Sequence, residues 1–231
     1  MTIENHNGIN VLRDDLLPGG TKSIFLHKIL DTTKDYFVYA SPVYGGMQIA
    51  LAHYCSSIGK KAVIFCARRK SPHPNTLRAK AAGAIIYQVP YGYLTNCQAK
   101  ATRFAEANNG QVVTFGANYP VAIDAIADRM RKVTSVLGKE PTKIYCAVGS
   151  GTLIKGILQG TDTAKVHGVL VGADFSLDGT NRATFIRYPK PFDYESKISS
   201  PFPSCKNYDL KAWEYCLKEK EKQNILFWNV L

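Results

Sequence analysis

An α/β protein built on mainly parallel sheets is the architecture this chain predicts, and three observations carry that reading. Short apolar runs of strand length alternate with helix-length segments through most of the 231 residues, the rhythm of strand–helix–strand units. Hydrophobic residues make up 45% of the chain, which supplies a buried core, and its 18 Gly and 11 Pro are scattered as turn formers. The longest apolar stretches, such as 38–40 and 225–228, fall far short of the roughly 20 residues that a membrane span requires, so no transmembrane helix is expected.

In chain order, the apolar run at 36–40 predicts a strand and 47–58 a helix. The Val-Ile-Phe stretch within 61–66 is the next strand, followed by a helix over 75–82 and a strand over 84–89 that Pro90 stops. A helix over Leu94–Ala107, a strand over 111–115 and a long helix over Pro120–Leu137 continue the alternation. It runs on through a strand at Lys143–Val148, a helix at Thr152–Gln159 and a strand over 166–173. Residues 174–207 then break the rhythm with prolines, aromatics and scattered basic side chains that follow no period. A long irregular segment in a compact domain is a candidate lid or substrate-contacting loop. A helix over 209–221 and an apolar strand over 224–230 close the chain.

Composition narrows the function classes. The first residues, Met-Thr-Ile-Glu-Asn-His-Asn, have neither a basic start nor an apolar core, so they do not read as a secretory signal, and a cytoplasmic location is expected. The six cysteines form no CxxC pair and have no histidines at zinc-ligand spacing, which predicts buried, reduced thiols and no metal. Lys and Arg number 29 against 18 Asp and Glu, a net charge of +11. Such an excess favours acidic ligands or polyanionic partners, but a merely solvated basic surface fits the composition equally well, and the densest basic cluster is only Arg68-Arg69-Lys70.

Two stretches carry the chemistry. The first, Arg13-Asp-Asp-Leu-Leu-Pro-Gly-Gly-Thr-Lys22, is a glycine turn that delivers a lysine to the start of a helix. The second, Val148-Gly-Ser-Gly-Thr152, lies directly between a predicted strand and a predicted helix. There Gly149 and Gly151 let backbone approach an anion, while the amides of the helix start and the hydroxyls of Ser150 and Thr152 can donate hydrogen bonds. A phosphate cradle is the natural reading, with a ligand-free tight turn as its alternative. The loop lacks the Gly-Lys-Ser/Thr ending of a nucleotide P-loop and is one glycine short of the dinucleotide fingerprint.

The collinear order Gly19-Gly-Thr-Lys22, Gly45-Gly-Met-Gln48, Gly149-Ser-Gly-Thr152 and Tyr208-Asp-Leu-Lys211, with the closing Ile225-Leu-Phe-Trp-Asn, resembles the aminocyclopropane-carboxylate deaminase and D-cysteine desulfhydrase family. That family is pyridoxal-phosphate dependent and belongs to the tryptophan-synthase-β (fold type II) class. The resemblance therefore implies two three-layer lobes: a larger cofactor-binding lobe from residues 1–35 and 119–231, and a smaller lobe, 36–118, inserted in it. It implies pyridoxal 5'-phosphate as cofactor, Lys22 as the Schiff-base lysine, and Gly149, Ser150, Gly151 and Thr152 as the phosphate loop, with Gly46 beside the cofactor. Tyr208 would lie near the substrate, and Asp209 would face the pyridine nitrogen and keep it protonated, which strengthens the ring as an electron sink. A homodimer is expected.

Two departures qualify the transfer. The family's Ser-Asn-Gln at the start of the second helix reads Gly45-Gly46-Met47 here, followed by Gln48, so the asparagine that would contact the cofactor's phenolic oxygen is missing. Gly45 and Gly46 would admit a bulkier substrate, or Asn118 would compensate. The region between residue 173 and Tyr208 is also shortened, which changes the substrate wall.

The expected activity is that of a lyase breaking a bond at Cα of an amino-acid group by decarboxylation, deamination or elimination, with Gly45, Gly46, Met47, Gln48, Arg182 and Arg187 toward the substrate. The net charge and the opened wall favour an amino-acyl group on a larger anionic carrier, with Arg182, Arg187, Lys190 and Lys197 meeting phosphates. Some bacteriophages decorate thymidine with amino acids and trim them with enzymes of this cofactor class, and a shortened member resembles a candidate for that work in the host cytoplasm. The alternatives are a lyase or deaminase of a free small amino acid and a non-catalytic scaffold.

Overall fold

The computed structural model describes residues 1–90, 93–172, 174–177 and 179–231. Its elements in chain order are β1 (Ile3–His6), β2 (Ile9–Arg13), α1 (Leu26–Ile29), β3 (Tyr36–Ser41), α2 (Met47–Ser57), β4 (Lys61–Ala67), α3 (Pro74–Ala81), β5 (Ile85–Val89), α4 (Leu94–Ala107) and β6 (Gly110–Val112). After these come α5 (Pro120–Leu137), β7 (Lys143–Val148), α6 (Thr152–Gln159), β8 (Lys165–Leu170), β9 (Ala183–Arg187), α7 (Asp209–Cys216) and β10 (Ile225–Asn229). Every predicted element is present, most within a residue or two of the expected bounds. Three are shorter than expected, one of them the strand foreseen over 166–173, which ends at Leu170. The strand foreseen over 111–115 ends at Val112, and the last helix ends at Cys216, five residues early. Residue 173, at the end of one predicted strand, lies outside the described residues.

The chain divides into two compact units, one formed by Met1–Leu17 with Asn118–Leu231 and the other by Pro18–Ala117. The segment 18–35 clusters with the smaller unit.

In the larger unit a six-stranded sheet runs in the order β1-β2-β10-β7-β8-β9, with every pair parallel except β1–β2. That pair is a hairpin turning through Asn7 and Gly8, both at positive φ (53° and 86°). Such a two-residue turn matches the natural strand twist. The central strands β7 and β10 are buried along almost their whole length, as parallel strands covered on both faces must be. One apolar layer joins Val11, Tyr145, Val169, Trp213 and Phe227 with Tyr188 and Phe202 from the irregular segment. That segment also contains β9, which pairs in parallel with β8 as the edge strand.

The smaller unit is a four-stranded, wholly parallel sheet in the order β5-β4-β3-β6. Its core joins Val38, Ala40, Val63 and Phe65 to Cys97, Ala101 and Ala105 of α4. The opposite face is covered by α2, whose residues 47–52 are all buried. Five cysteines of the chain are buried thiols and Cys205 is partly exposed. No helix among the described residues is long and apolar enough to cross a membrane.

Asp14 sits at the exit of β2, completely buried. Its carboxylate accepts a hydrogen bond from Trp228 Nε1 on β10 (3.0 Å) and pairs with the Arg129 guanidinium on α5. One side chain thus joins the N-terminal hairpin, the longest helix and the last strand. Breaking a buried pair by removing one partner strands the other charge, at a cost of about 3–5 kcal/mol. Asp14→Ala is therefore expected to lower the unfolding free energy by about that amount, read by urea denaturation. A loss below about 1 kcal/mol would show that the pair merely decorates the junction.

Candidate active site

In an open parallel sheet, ligands gather beyond the carboxyl ends of the strands where the strand order reverses. The larger unit reverses beside β7, which has the sequence-later β10 on one side and β8 on the other. β7 ends at Val148 and runs straight into Gly149-Ser-Gly-Thr152 at the head of α6. The N-cap of this helix is Gly151, which has no side chain to offer, so its positive end faces the loop with the Ser150 and Thr152 hydroxyls 3.3 Å apart beside it. Gly151 has φ +83°, a left-handed conformation that suits glycine, and a Cβ there would lie 2.0 Å from the Phe175 ring. At Gly149 a Cβ would come within 3.1 Å of the Tyr208 hydroxyl. Gly151 is thus required by its backbone angle and by the ring packed on it, while Gly149 lies in close contact with Tyr208.

Tyr208 and Asp209 stand at this same edge. The Tyr208 hydroxyl accepts a hydrogen bond from the Gly149 backbone N–H, and burial is the main reason its phenol is pushed well above the usual range, so it stays protonated. Asp209 is completely buried in the first turn of α7, where the helix dipole favours a carboxylate. Its Oδ2 accepts from the Leu231 backbone N–H just beyond β10 (3.2 Å). The Cys146 thiol of β7, also raised by burial, is close enough to feel the Asp209 charge.

The segment that leads to Tyr208 is anchored along its length. Lys211, a fully buried lysine on α7, donates to the carbonyls of Pro191 and Phe192 (both 3.0 Å) and lies over the Tyr188 and Phe192 rings. Glu214, one turn on, accepts from Tyr188 (2.9 Å) and from Ser196. Buried Asn229 of β10 holds Ser204 and the Pro203 carbonyl, both at 2.8 Å. The expectation of a lid does not suit residues 188–207, which are strapped to α7 and β10; their aromatics fill the core. Phe192 in turn packs edge-on against Tyr208. Nothing in the local sequence signals these straps, since each joins side chains to carbonyls or hydroxyls far along the chain.

The other expected residues lie in the smaller unit. Gly19 and Gly20, at φ +87° and +77°, turn the chain into a 3-10 turn, Gly20–Ile24, that carries Lys22. This turn is pressed on α2, because a Cβ on Gly19 would lie 2.2 Å from Ala50 Cα. α2 itself starts at the end of β3, and β3 is where this sheet's strand order reverses. Gly45 and Gly46 form the loop before the helix, and a Cβ on Gly45 would meet the Ser41 hydroxyl at 2.9 Å. Met47 and Gln48 are buried within the unit and do not line its surface. Gln48 Nε2 donates to the carbonyls of Val43 (3.2 Å) and Gly45 (2.9 Å), so its visible task is to shape the loop. Among the described residues its Oε1 has no hydrogen-bond partner. Asn118, the expected substitute for the missing asparagine, belongs to the larger unit, where it is exposed and accepts from Lys155 (3.3 Å).

Arg182 and Arg187 are placed differently from what their charge suggested. Arg182, expected toward the substrate or a phosphate, donates to the Leu158 and Thr161 carbonyls (2.9 Å each) and to the Thr161 hydroxyl (3.0 Å). A guanidinium there satisfies the Leu158 carbonyl in the last turn of α6 and the Thr161 carbonyl just beyond it, at the negative end of the helix dipole and the opposite end from the glycine loop. Arg187 ends β9, exposed and paired with Asp174. Lys190 and Lys197 are exposed.

Comparison with known proteins agrees with this architecture. The family described as pyridoxal-phosphate dependent enzyme matches residues 23–197. A curated protein of Pseudomonas phage M6, glycyl-dTMP PLP-dependent decarboxylase, is 25% identical over 213 residues, covering 78% of this chain and 76% of its own. Among solved structures, an ACC deaminase homologue superposes with a TM-score of 0.80 at 16% identity, covering 96% of this chain and 83% of the other. An O-acetylserine dependent cystathionine beta-synthase from Helicobacter pylori gives 0.70 at 17% identity, over 96% and 87%. A hydrogen sulfide-producing enzyme from Fusobacterium nucleatum gives 0.68 at 14%, over 99% and 92%. At these identities the structures share the fold.

The donors present fit such a cofactor by their chemistry. An uncapped helix start with two glycines and two hydroxyls suits a phosphate ester, a lysine amine suits an aldehyde, and a buried carboxylate suits a ring nitrogen. The conformational demand on the loop can be tested apart from any ligand. Gly151→Ala is expected to cost about 1–3 kcal/mol from its backbone angle alone, with the Phe175 clash added. Phe175→Ala in the same chain should recover only the steric part. Denaturant melts of the two variants check this, and a wild-type midpoint for Gly151→Ala would refute it.

Proposed function

The chain belongs to the family of pyridoxal-phosphate dependent enzymes, and from that premise we propose that it is a lyase removing the carboxylate of an amino-acid group, such as glycyl, carried on a thymidine nucleotide. The likeness to the phage glycyl-dTMP decarboxylase over three-quarters of both chains carries the reading.

In this reaction the bond from Cα to the carboxylate breaks, carbon dioxide leaves, and a proton returned to Cα completes the exchange. When bound, pyridoxal phosphate delocalises the electron pair left on Cα. Lys22 would supply the amine that holds the cofactor's aldehyde, and that amine would carry the proton returned to Cα. The α6 N-terminus with Ser150 and Thr152 would hold the phosphate, and Asp209 would favour a protonated ring nitrogen. Tyr208 keeps its own proton and holds the phosphate loop through Gly149.

Purified protein is expected to be yellow with pyridoxal phosphate. Lys22→Ala should lose the visible band with an unchanged circular dichroism spectrum; a persistent band would assign the cofactor to another lysine, such as Lys28 or Lys155.

Asp209→Asn should keep the band while turnover falls tenfold or more, equivalent to about 1.4 kcal/mol of barrier. Incubation with glycyl-dTMP beside a panel of free amino acids, followed by mass spectrometry, tests the substrate. Loss of one carbon dioxide from the nucleotide supports the proposal. Turnover of a free amino acid with the nucleotide untouched, or cofactor binding with no turnover, would overturn it.

A further inference from the structure

The basic charge of this protein is not spread evenly. The smaller unit, 18–117, holds twelve Lys and Arg against three Asp and Glu, a net of +9. The larger unit holds seventeen against fifteen, a net of +2. The asymmetry sharpens within the smaller unit, where the seventy residues from 36 to 105 contain nine Lys and Arg and not one Asp or Glu. A soluble domain gains nothing in stability from such an excess, because like charges at its surface repel one another.

Five of the nine lie within thirteen residues and all five are exposed: Arg68, Arg69 and Lys70 after β4, and Arg78 and Lys80 on α3. Among the described residues none of them makes an ion pair with a carboxylate. Their loop is shaped, not loose. The Arg69 backbone N–H donates to Gln88 (3.4 Å), and its guanidinium lies over the Tyr44 ring and donates to the Tyr44 hydroxyl (3.3 Å). His73 packs edge-on against the same ring and caps α3 through Nδ1, while Asn75 donates to the Tyr44 carbonyl (3.1 Å). Tyr44 directly precedes Gly45 and Gly46, so the basic strip adjoins the loop at the head of α2.

We propose that the β4–α3 strip, Arg68 to Lys80, is a phosphodiester-binding surface by which the protein holds a DNA strand bearing its substrate nucleotide; this rests on the nucleotide-linked reading above. A free mononucleotide offers one phosphate and needs one or two cations, whereas five exposed cations within thirteen residues suit the several phosphates of a polymer.

The test compares two fourfold variants of the holoenzyme that remove the same charge. One is Arg68→Ser, Lys70→Ser, Arg78→Ser and Lys80→Ser, which spares Arg69 because it holds Tyr44. The other is Lys132→Ser, Lys139→Ser, Lys190→Ser and Lys197→Ser, all exposed on the larger unit. Fluorescence anisotropy with a labelled DNA duplex is followed against salt. Each lost phosphate contact should lower the slope of log affinity against log salt by about 0.9, so the strip variant is expected to lose about three to four in slope. Its affinity at low salt should fall more than tenfold, while the control keeps most of its slope. Equal losses in both variants, an unchanged slope in the strip variant, or no binding by the wild type would overturn the proposal. Wild-type turnover of free glycyl-dTMP reads the underlying activity separately. Turnover without strip-dependent DNA binding removes only the surface; strip-dependent binding without turnover keeps the surface and removes the decarboxylase reading.

Discussion

The larger unit depends on its last strand. β10 lies between β2 and β7, so until residues 225–229 pair on both sides the N-terminal hairpin has no connection to the rest of the sheet. Asp14 completes the junction from the other end of the chain by bonding Trp228 and Arg129 together. Pairing of this kind joins residues more than two hundred positions apart, and its loop-closure entropy must be met before the contacts reward it. Once formed, it brings Asp209, beside the chain's last backbone amide, to the edge where β7 releases the glycine loop.

Rigidity at that edge comes from burial of polar groups with their partners satisfied. Lys211 is the plainest case. A buried ammonium is costly, and burial is the main reason its pKa is drawn down, yet two carbonyls and two aromatic faces compensate for the lost water. The irregular segment is thereby fixed without helix or extended sheet, and Tyr208 at its end is held by Phe192 on one side and Gly149 on the other. A site whose residues are locked by such supporting contacts keeps its geometry better than one resting on free loops.

The two units divide the electrostatic work as well. In the larger one nearly balanced charges are committed to structure: Arg13 between Glu4 and Asp15, Arg129 on Asp14, Lys143 on Glu219, and Arg182 on the end of α6. In the smaller one the cations outnumber the carboxylates fourfold, and Lys60 with Asp35 is the ion pair seen there among the described residues. A glance at net charge assigns Arg182 to a ligand; its three hydrogen bonds assign it to a helix terminus.

What the sequence by itself determined is local. The alternation of strands and helices, the placement of Gly149–Thr152 between β7 and α6, and the glycine turn before Lys22 follow from backbone preferences and hydrophobic period, which act over a few residues. The β1–β2 hairpin was not foreseen, because polar Glu4, Asn5, His6 and Asn10 around the Asn7-Gly8 turn hide the apolar alternation that marks a hairpin. β9 was obscured because an edge strand of five residues with one neighbour needs little apolar patterning. Only the tertiary structure decided that Phe175 lies over Gly151, that Gln48 ties down the loop before α2, that Lys211 straps the irregular segment, and that Arg182 caps α6. Each of these is a choice of partner across the chain. Such a choice is set by which surfaces the packed sheets bring within a few ångströms of each other, and side-chain chemistry alone allows many partners where the fold leaves one.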